Sequence, residues 1–294
     1  MSQHPQGHEK AIALTVFAFM AFAVSDGVRK IVVQDYQIVD ILFWQAISGL
    51  IVLLVIMPFI GGTRALIDPP NIKYQALRGV LIAMNTTSSL IAVSAVPIMD
   101  AYTIFFLTPF VTCVMGAVLF KEYIGRFRLI SIAAGFIGAL IAFRPGFEVL
   151  HPAYGYALAC VFIFSASSMC ARKIGRTDNL LAFAFWPFVI LAIALLIYRG
   201  GELPPIYGVE FFAWMVLIGL AYGLASLTIA YAFTLAPAPV IAPYQYVQII
   251  FALGFGYFVF GHVPDGYKIT GALIIIGAGL VLFARERFLK QKAR

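Results

Sequence analysis

The chain has 294 residues, of which 62% are hydrophobic and only 11% are charged. Soluble domains carry roughly a quarter charged residues and about half apolar ones, so this composition excludes a soluble globular protein and indicates an integral membrane protein. The net charge of +7 does not indicate nucleic-acid binding, because the Lys and Arg residues lie between hydrophobic runs and in the C-terminal tail rather than in a soluble basic domain.

The first nine residues are polar and predict a disordered N-terminal tail. Ten hydrophobic runs follow, near residues 11–31, 38–60, 76–95, 98–119, 128–144, 153–171, 180–198, 210–232, 239–260 and 267–284. Most are about 17 to 24 residues long, which an α-helix needs to cross a hydrocarbon core about 30 Å thick. Since lipid offers the backbone no hydrogen-bond partners, we expect helices rather than strands. The predicted fold class is an all-α polytopic membrane protein with ten transmembrane helices.

The chain contains a gapless internal repeat. Residues 79–143 align with residues 219–283 at a constant offset of 140 across 65 positions. Proline, glycine and charge recur at matching places, for example Pro97 with Pro237. Isolated identities carry little weight in so apolar a chain, but a gapless match of this length predicts a duplicated membrane unit.

The number of runs in each copy predicts how the two copies are oriented. Five helices per copy is an odd number, so the second copy must enter the membrane from the opposite side. We therefore predict two inverted five-helix repeats, residues 11–144 and residues 153–284. Arg29-Lys30 after the first run and Arg172-Lys173 after the sixth run would then lie on opposite faces. Inverted repeats are a recurrent architecture of secondary transporters, with the substrate near the bilayer midplane.

The distribution of basic residues predicts the orientation of the chain. With the N-terminus inside, fifteen of the twenty Lys and Arg residues lie on the inner side and five on the outer side. The positive-inside rule then puts the N-terminal tail (residues 1–10) and the basic tail (residues 285–294) in the cytoplasm. We expect a multi-pass protein of a bacterial-type inner (plasma) membrane, a monomer or a homodimer.

Several segments resemble a known family. They are Asp26–Lys30, Pro97–Pro109, Phe120–Glu122, Gly135 with Gly138, and Arg144–Gly146. Together they resemble the EamA-type branch of the drug/metabolite transporter superfamily over nearly the whole chain. The resemblance implies a ten-helix inverted-repeat carrier whose central cavity is lined mainly by the first, third, fourth, sixth, eighth and ninth runs. Its substrates would include amino acids, vitamins, nucleotide-like metabolites and drugs. One departure is that Glu122 of the first repeat is matched by His262 in the second.

Polar side chains near the middle of the runs are candidate substrate-binding residues, because such groups are costly in lipid unless partnered. Thr108 and Gln248 occupy matching positions of the two repeats, and so do Thr86 and Ser226. The hydroxyl pair could instead form hydrogen bonds between packed helices. The bulkier Gln248 is harder to satisfy by packing and favours substrate contact.

Further candidates come from the third and ninth runs. Asn85 begins a polar stretch in the third run that must face protein or a wet cavity. Tyr244 and Gln245 follow Pro243 in the ninth run, where Tyr244 and Gln248 are four residues apart and would share a helix face.

Aromatic residues on the lining helices predict a cavity suited to a planar ring. Tyr102, Phe106, Tyr222 and Tyr244 lie on runs that the resemblance assigns to the cavity. Simple packing is the alternative for each of them.

Two acidic residues and two prolines complete the set. Asp26 lies about two-thirds along the first run, where it could bind a cation or a proton, or could pair with Arg29 or Lys30 one turn away. Asp100 favours an interfacial or helix-N-terminal charge. Pro109 and Pro243 remove backbone hydrogen bonds, which could free carbonyl ligands, permit a hinge or produce only a static kink.

The sequence therefore predicts a carrier that works by alternating access, without cofactor or metal. Cys113, Cys160 and Cys170 lack metal-ligand spacing and are interpreted as packing residues, and no phosphate-binding GxxxxGK[ST] motif is present. A planar, largely uncharged small-molecule substrate is favoured, with riboflavin first and amino-acid export or S-adenosylmethionine uptake as alternatives. An intramembrane enzyme would need a clustered acid/base set in the bilayer, and a passive channel would show uptake without counterflow.

Overall fold

The computed structural model describes residues 5–60, 71–121, 125–143, 151–175, 181–261 and 265–292, and this part of the chain contains helices and no strand. The α-helices are α1 (Pro5–Val32), α2 (Ile38–Ile60), α3 (Ile72–Ala95), α4 (Ile98–Phe105), α5 (Thr108–Phe120), α6 (Arg126–Phe143), α7 (Ala153–Ile174), α8 (Ala182–Tyr198), α9 (Val209–Leu235), α10 (Ala238–Ile241), α11 (Gln248–Phe258) and α12 (Gly266–Lys292). A 3-10 helix, Ala242–Val247, joins α10 to α11.

Both ends of the described chain are more helical than the sequence predicted. The predicted disordered tail was wrong from Pro5 onward, because α1 begins there. Proline fits the first turn of a helix, where its missing N–H is not needed, and no further proline follows before Val32. At the other end, α12 continues to Lys292 and so includes most of the basic tail.

The repeat reappears in the backbone. The helix bounds that differ by 140 residues are the ends of α3 and α9 (Ala95 and Leu235) and the starts of α4 and α10 (Ile98 and Ala238), α5 and α11 (Thr108 and Gln248), and α6 and α12 (Arg126 and Gly266). Lys121 and Gly261, also 140 apart, both have positive φ values of 53° and 65°. The backbone of the second half therefore repeats that of the first half, although most of the residues differ.

The fourth and ninth runs are each interrupted near the middle. In the fourth run α4 ends at Phe105 and α5 begins at Thr108, and in the ninth run the 3-10 helix separates α10 from α11. Pro109 lies in the first turn of α5, and because proline has no N–H the Phe105 carbonyl has no amide donor four residues on. Pro243 lies in the first turn of the 3-10 helix. The sequence predicted lost backbone hydrogen bonds at both prolines, and each proline lies at the interruption of its run.

Helices α6 and α12 run antiparallel. The Ser131 hydroxyl donates to the Ala278 carbonyl at 2.6 Å. Seven residues later in α6, Gly138 packs against Gly271, which lies seven residues earlier in α12. The offset of 140 matches Ser131 to Gly271 and Gly138 to Ala278, so it exchanges the two contacts. The pair is thus related by a pseudo-two-fold axis.

The other large interfaces join the two halves of the chain. The most extensive are α1 with α9 and α3 with α7, two pairs that the repeat relation exchanges. Two ion pairs also cross between the halves: Lys268 Nζ lies 2.8 Å from Asp100 Oδ1, and Arg199 Nη1 lies 3.0 Å from Asp40 Oδ1. Asp100 stands in the first turn of α4, as expected for a charge favoured at a helix N-terminus.

The helices form a multi-pass membrane bundle. Within the described residues, six segments are long and apolar enough to cross a membrane: His8–Val32, Ile38–Val55, Ile72–Ala95, Asp100–Phe120, Ala153–Ile174 and Val209–Leu235. Three shorter apolar helices are Leu129–Ala142, Ala182–Tyr198 and Gly266–Ala278. Large apolar side chains such as Val118 (72% exposed) and Ile197 (73% exposed) cover the outside, as a lipid-facing surface requires.

The close approach of α6 and α12 predicts intolerance of a side chain at Gly271. A Cβ there would meet the Gly138 carbonyl and lie 2.7 Å from the Ala142 Cβ, so the backbones would have to separate. We expect Gly271→Ala to lower the free energy of unfolding by about 1–3 kcal/mol. Gly277→Ala is the matched control in the same helix, since a Cβ there meets nothing within 4 Å. It should be neutral or stabilising by roughly 1 kcal/mol. Thermal unfolding in detergent measures both, and equal melting temperatures would contradict the packing.

Candidate substrate cavity

A narrow cavity lies where the two interrupted helices meet α1, α3, α7 and α9. Its lining residues are Phe19, Phe22, Asp26, Asn85, Ser89, Phe105, Phe106, Thr108, Pro109, Cys160, Phe164, Tyr222, Gln245 and Gln248. Its volume of about 60 Å³ holds roughly four to six water molecules, at about 10–15 Å³ for each. A vitamin-sized ligand therefore requires the surrounding helices or side chains to move.

Most of the residues predicted to bind substrate come together at this cavity. Those that line it are Asp26, Asn85, Phe106, Thr108, Tyr222, Gln245 and Gln248, and the predicted hinge or kink residue Pro109 also lines it. Those that are not among its lining residues are Thr86, Tyr102, Ser226 and Tyr244. Pro243 lies in the 3-10 helix, and its side chain is outside the described part of the chain.

The helix interruptions position the central polar pair. Thr108 and Gln248 are the first residues of α5 and α11, and each is 8% exposed. In a 3-10 helix residues three apart share a face, so Gln245 and Gln248 both point to the cavity. The expectation that Tyr244 shares a face with Gln248 assumed α-helical spacing and was wrong for this reason.

Asp26 pairs with Arg29 and also lines the cavity, so the ion-pair alternative holds and its binding of a cation or a proton stays a prediction. Its Oδ1 lies 2.9 Å from Arg29 Nη1. The Tyr102 hydroxyl donates to Oδ2 at 2.9 Å, and the Ser89 hydroxyl lies 3.5 Å from Oδ1. Three donors thus surround a carboxylate that is 6% exposed.

Arg29 is held inside the bundle, as the ion-pair alternative for Asp26 implied. Its side chain is fully buried. Its Nε donates to Gln45 Oε1 at 3.0 Å, and its guanidinium lies 4.5 Å from the centre of the Tyr222 ring. The Asp26 carboxylate, one turn earlier, and the face of the Tyr222 ring compensate the positive charge of Arg29. Without them, burial of this charge inside the bundle would be unfavourable.

Lys30 has a different role from its neighbour. Its Nζ donates to the carbonyls of Val93 and Val96 at 2.6 and 2.7 Å, at the C-terminus of α3. A cation is favoured there because the last carbonyls of a helix lack amide partners.

The second predicted hydroxyl pair stands behind Tyr222. Thr86 donates to the Ile82 carbonyl at 2.8 Å and therefore accepts from the Tyr222 hydroxyl, 2.5 Å away, since threonine has one proton to give. Ser226 is one turn from Tyr222 on α9 and 2% exposed, and its Oγ has no hydrogen-bond partner among the described residues. This pair supports the cavity wall rather than forming its surface.

Several cavity residues were not predicted. They are Phe19, Phe22, Ser89, Phe105, Cys160 and Phe164. Ser89 ends the polar stretch that begins at Asn85, and Phe105 matches Gln245 in the repeat, so both left a signal in the sequence. Phe19, Phe22 and Phe164 left no such signal, because nothing in the sequence separates them from the other phenylalanines among the chain's 27.

The unpredicted rings form one aromatic wall. The ring centres of Phe19 and Phe22 are 5.9 Å apart, and those of Phe22 and Tyr222 are 5.1 Å apart. Phe164 lies 5.9 Å from Phe19. Over the described ranges, no group of three or more His, Cys, Asp or Glu side chains could hold a metal ion. The cavity can therefore contact a ligand through ring surfaces, neutral amides and one compensated carboxylate.

A family comparison bears out the resemblance seen in the sequence. The sequence model described as the EamA-like transporter family matches residues 9–144 and 151–284. This family has a two-repeat helical membrane fold.

Similar proteins are named as transporters. An S-adenosylmethionine uptake transporter of Rickettsia bellii is 22% identical over 274 residues, covering 92% of each chain. A riboflavin transporter of Rhizobium johnstonii is 27% identical over 213 residues, covering 71% of this chain and 69% of its own. A solved crystal structure with 17% identity has a TM-score of 0.70 over 97% of each chain, which supports the fold.

The buried ion pair makes a stability prediction. Asp26→Asn leaves the Arg29 guanidinium without its anion, and Arg29→Gln leaves the carboxylate without its cation. Removing one partner of a buried pair costs about 3–5 kcal/mol, so each variant should melt at a lower temperature. The double variant should recover much of the loss, since no uncompensated charge remains. Tryptophan fluorescence of purified protein measures the melting, with Asp35→Asn, at an exposed acid beyond α1, as the control. Additive losses would contradict the pairing.

Proposed function

Because the chain belongs to the EamA-like transporter family, we propose that it is a secondary transporter that moves a small organic metabolite across a bacterial inner membrane by alternating access. The observation that carries the proposal is the cavity between the two interrupted helices. Thr108 and Gln248, which match in the repeat, both line it. Interrupted helices that contribute polar groups to a site between two repeats are a recurrent feature of secondary transporters.

The proposed architecture is ten transmembrane spans in two inverted repeats, residues 11–144 and 153–284, with both termini cytoplasmic in a monomer or a homodimer. The antiparallel contact of α6 and α12 supports inversion, because helices at matching positions of inverted repeats cross the membrane in opposite directions. The six long segments and the three shorter apolar helices support nine spans, and the interrupted ninth run supplies the tenth.

Alternating access would move one half against the other around the cavity. The Asp100–Lys268 and Asp40–Arg199 ion pairs join the two halves at one end of the bundle. They would separate when that end opens. The missing backbone hydrogen bond at Phe105 makes the α4–α5 junction a place where the fourth run can bend.

A planar and largely uncharged metabolite is the proposed substrate, with riboflavin as the first choice. The aromatic wall suits the face of a ring, and the amides of Asn85, Gln245 and Gln248 suit its polar groups. Arg29 already compensates Asp26, so the cavity does not require a cationic partner. The name of the Rhizobium relative supports this choice.

S-adenosylmethionine uptake or amino-acid export is the second candidate. The observation that favours it is that Asp26 lines the cavity and could contact a sulfonium or ammonium group. The name of the Rickettsia relative supports the S-adenosylmethionine alternative.

Transport assays separate these possibilities. In proteoliposomes containing the full chain, we expect saturable riboflavin uptake that unlabelled riboflavin inside the vesicles accelerates, because a carrier returns faster when loaded. Protein-free liposomes are the control. Uptake that rises linearly and shows no counterflow would indicate a channel. Saturable uptake of S-adenosylmethionine without riboflavin uptake would replace the substrate and retain the carrier.

The inverted architecture has its own test. Asp35 follows α1 and Lys173 lies in the last turn of α7, and both are exposed. We expect a membrane-impermeant thiol reagent to label Asp35→Cys in intact cells, and Lys173→Cys only after permeabilisation. The native cysteines Cys113, Cys160 and Cys170 are buried, and unsubstituted protein gives the background. Labelling of both positions from one side would exclude inverted repeats.

A further inference from the structure

The amide of Gln245 is prepared for a ligand. The side chain lines the cavity and is 2% exposed. Neither its Nε2 nor its Oε1 has a hydrogen-bond partner among the described residues. Buried polar groups are nearly always paired in folded proteins, so an amide with both atoms free at a cavity wall indicates that its partner is a molecule that enters the cavity.

A second free acceptor faces the same space. Asn85 and Tyr222 both line the cavity. The Asn85 Oδ1 is left buried without a partner among the described residues. The cavity therefore offers one complete amide and one additional acceptor to a ligand.

The geometry of a glutamine amide restricts what can satisfy it. The amide presents one donor and one acceptor side by side in a plane, and its complement is a planar group with an acceptor and a donor side by side. Glutamine reads adenine in nucleic acids through such a bidentate pair. Imide, lactam and amidine edges of heteroaromatic rings have this arrangement, whereas the head group of an amino acid does not.

One pair of matching positions in the repeat is polar in one half only. Gln245 in the second half corresponds to Phe105 in the first, and both residues line the cavity. A pseudo-symmetric site thus carries an amide where its mate carries a ring. A ligand with an aromatic surface and one hydrogen-bonding edge would be held with that edge toward Gln245 and its ring toward Phe105.

We propose that Gln245 is the specificity-determining residue, and that it binds the donor–acceptor edge of a planar heteroaromatic substrate through two hydrogen bonds. This inference deepens the proposed function and rests on it. Asn85 accepts a further hydrogen bond from the same substrate, and Phe105 packs against its ring.

The test measures the binding of two ligands to two proteins, the wild type and Gln245→Leu, each as the full chain in lipid nanodiscs. The ligands are riboflavin and 3-methylriboflavin, in which a methyl group replaces the imide proton and the ring is otherwise unchanged. The wild-type protein should bind riboflavin about 100-fold more tightly, because a site built to hydrogen-bond a group rejects an analogue that lacks it. Gln245→Leu should weaken riboflavin binding about 10- to 100-fold and leave the analogue unchanged, so that the ratio approaches one.

Phe105→Leu is the matched control, because it removes the ring at the corresponding position of the other repeat. It should weaken both ligands by a similar factor and preserve their ratio. Melting temperatures without ligand establish that each variant is folded, and Gln245→Met, which is close in length, replaces Gln245→Leu if the latter is unstable. A variant at Gln245 that weakens both ligands equally, or a wild type that does not distinguish them, overturns the inference.

A different substrate is distinguished from a wrong inference by a second ligand pair. If riboflavin does not bind, the same comparison is made with adenosine and N6,N6-dimethyladenosine. The hydrogen-bonding edge of the adenine ring is intact in adenosine, and the two methyl groups block it in the dimethyl analogue. Discrimination by the wild type that Gln245→Leu abolishes supports the inference. Absence of discrimination in both pairs overturns it, while saturable transport of an amino acid by the same preparation would leave the carrier proposal standing.

Discussion

A polar side chain in a hydrocarbon core has no water to bind, so its partner must come from the protein or from a ligand. The Asp26–Arg29 pair obeys this constraint within one turn of α1. Tyr102, Gln45 and Tyr222 complete the arrangement from three other helices. This network includes residues of both halves of the chain and joins α1 to three neighbouring helices. Two of its members, Asp26 and Tyr222, also line the cavity.

The two helix interruptions follow from the same constraint. Free backbone groups at this depth are tolerated only inside the protein or at a cavity, and both interruptions lie there. The 140-residue relation puts them at matching positions, but the residues differ: Phe105 and Thr108 in the first half, Gln245 and Gln248 in the second. The two halves thus share the positions of the interruptions but differ in the side chains that they present to the cavity.

Local spacing predicted only part of the site. Thr108, Gln248 and Asp26 were found because polar groups in an apolar run are conspicuous, and all three line the cavity. Tyr244 was misjudged because the sequence does not reveal where an α-helix tightens into a 3-10 helix. The Asp26–Arg29 pair was one of two alternatives in the sequence, because a one-turn spacing permits the pair but does not show which way the basic side chain turns.

Composition, run lengths and the gapless repeat by themselves determined a polytopic helical membrane protein built from two related units, because hydrophobicity and periodicity are properties of the chain read locally. Only the tertiary structure decided which of the 27 phenylalanines meet at one wall, and which polar atoms remain without a partner. Contacts between residues more than a hundred positions apart decide both, and nothing in the local pattern of either partner specifies the other.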